Sequence, residues 1–172
     1  MLGKRGINKK AQHTMGLPFG VIFAIFLIIV FIVIAFIAVN HFLEIGDCSK
    51  VGKFYDDLQD KIGEAISGQE SNFLFDVDLP SGIDVICFAN LSDDIHGEES
   101  DENYQKLRDF EIYDGNIFLL PRGKACDMSW KKMDNINITK ITKEKNPYCI
   151  DLERRNELRI KKGFYDKYVV IE

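Results

Sequence analysis

Charged side chains are missing from one stretch near the N-terminus of this 172-residue chain, and acidic side chains are missing from a longer one. Residues 17–39 contain no charge of either sign, and no Asp or Glu precedes Glu44. A helix of this length measures about 35 Å, enough to cross a hydrocarbon core of about 30 Å. A secretory signal peptide has a shorter apolar region, of about 7–15 residues, before a small-residue cleavage site. We therefore expect one uncleaved transmembrane helix over residues 17–43.

The charges on the two sides of this helix predict its orientation. The basic residues that precede it are Lys4, Arg5, Lys9 and Lys10, whereas the first 15 residues after Leu43 contain only Lys50 and Lys53. Basic flanks are retained in the cytoplasm. We expect residues 1–16 to form a cytoplasmic tail and residues 44–172 to lie outside the plasma membrane as one domain.

The expected outer domain is strongly acidic. All 27 acidic residues but only 18 of the 22 basic ones lie at or after Glu44, which gives residues 44–172 a net charge of −9. Such a domain repels nucleic acid and anionic lipid surfaces. We therefore expect no nucleic-acid partner.

Sequence signatures of catalysis are scarce after Leu43. His96 is the only histidine there, and no glycine-rich phosphate loop occurs. Ser129 and Lys132 match the S-x-x-K pattern of penicillin-binding serine enzymes, but the accompanying S-D-N and K-T-G motifs are missing. We expect no enzymatic activity, no catalytic residue and no cofactor; a hydrolase or redox enzyme of the envelope is the minority alternative.

Clustered acidic residues between Leu91 and Asn103 are the strongest metal candidates. They lack the alternating ligands and the glycine of a calcium-binding EF-hand loop. We interpret the stretch as a solvated loop and expect no metal site. Its carboxylates belong to Asp93, Asp94, Glu98, Glu99, Asp101 and Glu102.

Four cysteines, all after the apolar stretch, indicate an oxidising compartment. Cys48, Cys87, Cys126 and Cys149 are too far apart in sequence for the close pairs of a zinc site, so we expect two disulfides. Three connectivities are possible. We favour Cys48–Cys87 with Cys126–Cys149 because this choice closes the shortest loops.

Two N-glycosylation sequons also favour an external domain. They are Asn90-Leu91-Ser92 and Asn137-Ile138-Thr139. Glycans are attached to such asparagines only outside the cytoplasm. Asn90 and Asn137 are therefore candidate modification sites.

Hydrophobic periodicity predicts an α+β domain. Apolar residues recur at steps of three and four from Ser49 to Ser67, as in an amphipathic helix whose apolar face packs on its own sheet, and Gly68 is a natural stop. A short helix is expected over Tyr104–Phe110. The rest reads as a mostly antiparallel sheet, in which the fourth and fifth runs form a hairpin; the expected strands are Asn72–Val77, Ile83–Ala89, Asn116–Leu120, Tyr148–Glu153, Glu157–Lys161 and Tyr168–Ile171.

Aromatic residues are numerous in this domain. Most lie in strand-like runs, so we interpret them as core residues, of which a few exposed ones could anchor a partner. The ten are Phe73, Phe75, Phe88, Tyr113, Phe118, Trp130, Tyr148, Phe164, Tyr165 and Tyr168.

Several stretches resemble single-pass membrane proteins of small-genome archaea whose function is not known. The resemblance is carried by the basic leader with Met15–Ile25, by Cys87-Phe88, by Lys124–Cys126 and by Asn146–Ile150. It implies a membrane-anchored domain and transfers no catalytic residues.

The order of basic leader, apolar helix, amphipathic continuation and β-rich head also resembles type IV pilin-like proteins. The resemblance implies removal of residues 1–16 after Gly16. Val21 stands where many pilins carry a glutamate, and Gly46 is expected to interrupt the join between the two helical segments. Gly20 and Ala24 offer one small-residue contact for self-association in the membrane.

These observations favour a bitopic protein, anchored in the bilayer, that presents an interaction or structural domain to a cell-envelope partner. The alternative is a pilin-like subunit that assembles through its apolar helix.

Overall fold

The computed structural model describes residues 16–97 and 100–172. One long helix is followed by short strands with two short helices among them, so the fold is α+β as predicted. The helices are α1 (Gly16–Ser67), α2 (Ser100–Leu107) and α3 (Ile138–Ile141). The strands are β1 (Ser71–Asp76), β2 (Val85–Phe88), β3 (Ile117–Leu120), β4 (Trp130–Lys131), β5 (Tyr148–Asp151), β6 (Glu157–Lys162) and β7 (Val170–Ile171).

The first half of α1 has an apolar surface that no other part of the described chain covers. From Phe19 to Ile45, every large apolar side chain except Val30 is at least 37% exposed. Among the residues that the structure describes, α1 is the one helix long and apolar enough to cross a membrane. Gly46, expected to interrupt the helix, has helical backbone.

Ile45–Glu172 forms a compact unit by itself. Within it, the last turns of α1 bury the apolar stripe that periodicity predicts: Val51, Phe54, Tyr55, Leu58, Ile62 and Ala65 are buried. The stripe joins one core with residues of both sheets, among them Phe75 and Ile86. Each large side chain buried there contributes about 1.5–3 kcal/mol, so this contact accounts for a large part of the domain's stability.

Two antiparallel sheets form the rest of the unit. One has the strand order β4-β3-β2-β5 and the other β1-β6-β7, and every strand pair in both is antiparallel, as predicted. The four-stranded sheet is buried on both faces. Ile117 and Leu119 of β3 enter the main core, whereas the alternate residues Phe118 and Leu120 pack with Leu107 in a second core.

The predicted hairpin of the fourth and fifth strand-like runs is wrong. β5 pairs with β2 in the four-stranded sheet, whereas β6 pairs with β1 in the other, so residues 152–156 carry the chain from one sheet to the other. The hairpin is instead formed by β6 and β7, with Ile160 opposite Ile171. A short turn-like connection marks the ends of two strands but does not identify the partner of each.

The favoured disulfide connectivity is also wrong. Cys48 of α1 is bonded to Cys126, with 5.5 Å between their Cα atoms, and Cys87 is bonded to Cys149, with 4.0 Å. Cys87 and Cys149 are direct partners in the β2–β5 register. Strand pairing therefore brings together cysteines that are 62 residues apart in sequence, and it outweighs the preference for short loops.

The short helix expected at Tyr104 begins earlier. α2 starts at Ser100 and is followed by a 3₁₀ turn over Arg108–Phe110. The expected loop from Leu91 therefore ends before Asn103. Glu98 and Glu99 of that loop lie outside the described residues.

Candidate functional site

The loop Asn90–Gly97 is exposed but firmly attached to the segment that precedes β5. His96 and Asn146 exchange backbone hydrogen bonds, with N–O distances of 3.3 and 2.9 Å. Nδ1 of His96 lies 2.9 Å from the carbonyl oxygen of Asp94, and Nε2 lies 2.9 Å from that of Thr142 and 3.2 Å from that of Lys143. Carbonyl oxygens only accept, so this arrangement favours a protonated ring that donates from both nitrogens.

The donor pattern explains the direction in which His96 titrates. The carbonyl of Asp94, then those of Thr142 and Lys143, and the charge of Asp93 raise the pKa of His96 above its ordinary value of 6.5. Desolvation acts in the opposite direction and is outweighed. His96 therefore anchors the loop to the segment before β5.

The described acidic residues of this region are not grouped as metal ligands. Among residues 16–97 and 100–172, no group of three or more His, Cys, Asp or Glu side chains is arranged to hold a metal ion. The backbone N–H of Asp94 donates to the Asp93 carboxylate, and Glu102 pairs with Lys106 at 2.9 Å. The carboxylates of Asp93 and Glu102 are thus used in local contacts.

Both sequon asparagines are partly exposed and use their side-chain oxygen in a turn. Asn90 Oδ1 accepts from Ser92 N–H at 3.3 Å, and Asn137 Oδ1 caps α3 by accepting from Lys140 N–H at 3.0 Å. In each case the bond engages the oxygen and not Nδ2, the atom that would carry a glycan.

The S-x-x-K match does not form a serine–lysine pair of catalytic type. Ser129 is buried beside β3, where its carbonyl accepts from Leu119 N–H at 2.8 Å. The ammonium group of Lys132 is bound by the Asp114 carboxylate. The neighbouring Lys131 instead pairs with Asp56 of α1 at 3.2 Å.

A cleft of about 560 Å³ lies beside β5 and α2 and includes the half-buried Cys149. Four of its charged side chains form ion pairs, Lys106 with Glu102 and Arg154 with Asp151 at 3.2 Å. Arg155 instead donates from its guanidinium to the Tyr148 hydroxyl at 3.4 Å. Cys149 is held in its disulfide, so the cleft offers no free thiol.

A different surface was missed by sequence reasoning. Two adjoining clefts of about 250 and 530 Å³ share Lys140, Val170 and Glu172. Six basic and four acidic side chains line them, although the domain as a whole is acidic. We call this the basic surface; its basic residues are Lys140, Lys143, Lys145, Arg155, Lys161 and Lys162.

The sequence carried a signal for it. Residues 44–114 contain 19 acidic and 5 basic side chains, whereas residues 115–172 contain 8 acidic and 13 basic ones. The net charge of −9 averages over this asymmetry. Charge counted by segment predicts a basic region in the second half of the domain.

The aromatic residues divide in an informative way. Seven of the ten are buried or half-buried, which confirms the core interpretation for them. The exceptions are Phe164, Tyr165 and Tyr168, all exposed and all in the β6–β7 connection. We call Gly163–Tyr168 the aromatic turn.

Comparison with models of known protein families gave no match, and neither did comparison with curated proteins or with solved structures.

Proposed function

We propose that the chain is a bitopic membrane protein whose N-terminus is cytoplasmic and whose residues 44–172 form an extracytoplasmic interaction domain for a cell-envelope protein. The observation that carries this proposal is the uncovered apolar surface of α1 from Phe19 to Ile45. Apolar patches of this size in water cause association, whereas a bilayer solvates them. The same chain continues directly into a unit with its own buried core.

The proposed orientation is supported by the cysteines. All four are paired, and disulfides persist in oxidising compartments but are rare in the cytoplasm. The four basic residues before the apolar stretch, against two just after it, favour the same orientation. The two partly exposed sequon asparagines are compatible with it.

The orientation is tested with a membrane-impermeant maleimide and two matched variants of the full chain. Gln12→Cys adds a thiol to the expected cytoplasmic tail, and Ile112→Cys adds one at a position that is 83% exposed in the domain. Because the native cysteines are paired, each added thiol is the one to react. We expect Ile112→Cys to label on intact cells and Gln12→Cys only after permeabilisation. The reverse pattern would overturn the orientation.

A pilin-like subunit is the second candidate, and one observation favours it. Gly46 has helical backbone, so α1 includes both the apolar and the amphipathic segment, as the pilin-like arrangement requires. Such a subunit would lose residues 1–16 and self-associate through its apolar helix. Intact-mass measurement of the protein from native membranes separates the candidates: a mature chain that begins at Leu17 supports the pilin-like subunit, and retention of residues 1–16 supports the plain anchor.

A further inference from the structure

The aromatic turn holds two exposed rings in a fixed backbone conformation. Asp166 N–H donates to the Gly163 carbonyl at 3.1 Å, and the Asp166 carboxylate accepts from Gly163 N–H at 3.1 Å. Phe164 and Tyr165 therefore occupy the two central positions of a closed four-residue turn. Lys140 of the basic surface pairs with Asp166 at 3.4 Å and connects the turn to α3.

The fold gains little from the placement of these rings. Phe164 is 58% exposed and Tyr165 is 96% exposed, and their rings meet each other edge to face with centroids 5.0 Å apart. Nearby, Tyr168 is also exposed, with Lys167 Nζ 5.1 Å from its ring centroid. Single exposed apolar residues are ordinary, but three aromatic rings on one ordered turn form the kind of group that anchors interfaces.

The turn lies at one end of the domain. Lys162, which precedes the turn, donates from Nζ to the carbonyl of Gly68 at 2.6 Å, just beyond the end of α1. Between Ile45 and Ser67, α1 rises by about 33 Å. The turn thus lies at the end of the domain away from Ile45. The net charge of −9 on residues 44–172 disfavours an anionic lipid surface as the occupant of this end.

Charge indicates the chemistry of the partner. The turn adjoins the basic surface, whose two clefts are lined by six basic and four acidic side chains. The domain as a whole has a net charge of −9. A second copy that docked through the same surface would bring like charges together. Acidic side chains around an apolar pocket would complement both the lysines and the rings.

We propose that the aromatic turn and the basic surface form a docking site for a different protein, which receives Phe164 and Tyr165 in an apolar pocket with an acidic rim. This inference deepens the proposed function, because it assigns the partner's chemistry, and it rests on that function for the expectation that the partner is a cell-envelope protein.

The test is photo-cross-linking of the full chain in its native cells. A benzophenone amino acid replaces Tyr165 in one variant and Ile112, an exposed apolar residue outside the site, in the control. We expect an adduct of one discrete mass from position 165 and none of that mass from position 112. Mass spectrometry of this adduct should locate the cross-link in an apolar segment flanked by Asp or Glu.

Charge reversal provides the second arm. The changes Lys143→Glu and Lys145→Glu, made together in the basic surface, should reduce the position-165 adduct by about tenfold or more. The matched control, Lys50→Glu with Lys53→Glu, alters two basic residues of α1 outside both clefts of the basic surface and should leave the adduct unchanged. A non-reducing gel shows that each variant keeps its disulfides.

Four results would overturn the docking site: equal adducts from positions 165 and 112, an adduct with lipid, an adduct with twice the mass of the chain, or no effect of charge reversal. The proposed function fails separately. If maleimide labelling locates the domain in the cytoplasm but the adduct is still site-specific and charge-dependent, the docking site stands and the proposed orientation is wrong. An outward domain without the adduct would overturn the docking site alone.

Discussion

The side chain of Asn146 hydrogen bonds to both backbone polar groups of Asn90, which precedes it by 56 residues. Its Oδ1 accepts from Asn90 N–H at 3.1 Å, and its Nδ2 donates to the Asn90 carbonyl at 2.9 Å. Nδ2 also donates to the carbonyl of Asp94 at 3.1 Å. Asn146 is only 3% exposed. One buried carboxamide therefore connects both parts of the loop to the start of β5.

Asn146→Ala should destabilise the domain by about 1–3 kcal/mol. The variant removes the hydrogen-bond partners of three backbone groups of the loop, and water replaces those partners only in part. Thermal unfolding of the detergent-solubilised full chain measures the loss. Asn72→Ala, at an exposed position of β1, is the matched control and should change stability little. Equal melting temperatures for the two variants would contradict this role of Asn146.

Attachment of the loop through His96 should weaken as the pH rises. The folded-state pKa of His96 is raised, so its stabilising contribution is fully present below the unfolded value of 6.5 and is lost as pH rises through the folded-state pKa. The ring resonances of His96 should titrate above 6.5, and hydrogen-exchange protection of the Asn146 amide, corrected for intrinsic exchange, should fall over the same range. His96→Gln should remove this dependence. A titration at or below 6.5 would contradict the donor arrangement.

Non-reducing peptide mapping should recover Cys48 linked to Cys126 and Cys87 linked to Cys149. Recovery of Cys48–Cys87 or Cys126–Cys149 peptides would contradict the fold, because either pair would remove a cysteine from the Cys87–Cys149 match between β2 and β5.

The Cys48–Cys126 bond should contribute strongly to stability. It spans 78 residues, and closure of such a loop stabilises a domain by about 4 kcal/mol in the chain-entropy treatment. The double variant Cys48→Ser with Cys126→Ser should therefore lower the melting temperature of the full chain substantially. Unchanged melting would show that this disulfide contributes nothing measurable to the stability of the domain.

Tyr55→Phe should cost about 1 kcal/mol. The Tyr55 hydroxyl donates to the carbonyl of Met128 at 2.9 Å and thereby connects α1 to the turn before β4. Burial raises the pKa of Tyr55 far above its ordinary range. The variant's free energy of unfolding is compared with that of Tyr165→Phe, an exposed position where no loss is expected. Equal losses would indicate that the Tyr55 bond contributes nothing.

Local features were predictable from the sequence because their causes are local. The stripe from Val51 to Ala65 repeats at helical spacing, and each of the six strand-like runs coincides with an observed strand to within two residues at both ends. The sixth, Tyr168–Ile171, is shortened to Val170–Ile171 because Tyr168 belongs to the aromatic turn. β4 is only two residues long, too short for an alternating pattern that would predict a strand.

Long-range features were not predictable, because their causes are contacts between residues that are far apart in the sequence. The pairing of Cys87 with Cys149 depends on the register of β2 against β5, and the role of His96 depends on carbonyl groups 46 and 47 residues away. Phe164 and Tyr165 look like core residues in composition. Only the closed turn between Gly163 and Asp166 directs them outward.

The partner of β1 has a consequence for biosynthesis. β1 lies at the edge of its sheet and pairs only with β6 there, Ser71 opposite Lys162 and Asp76 opposite Glu157. A nascent chain must therefore extend more than 80 residues beyond β1 before that strand finds its neighbour, and Phe75 stays without its opposite residue Leu158 until then. Folding of this sheet thus waits for the synthesis of β6, and a ribosome that stalls before residue 157 releases a chain with an unpaired strand, a template for aggregation.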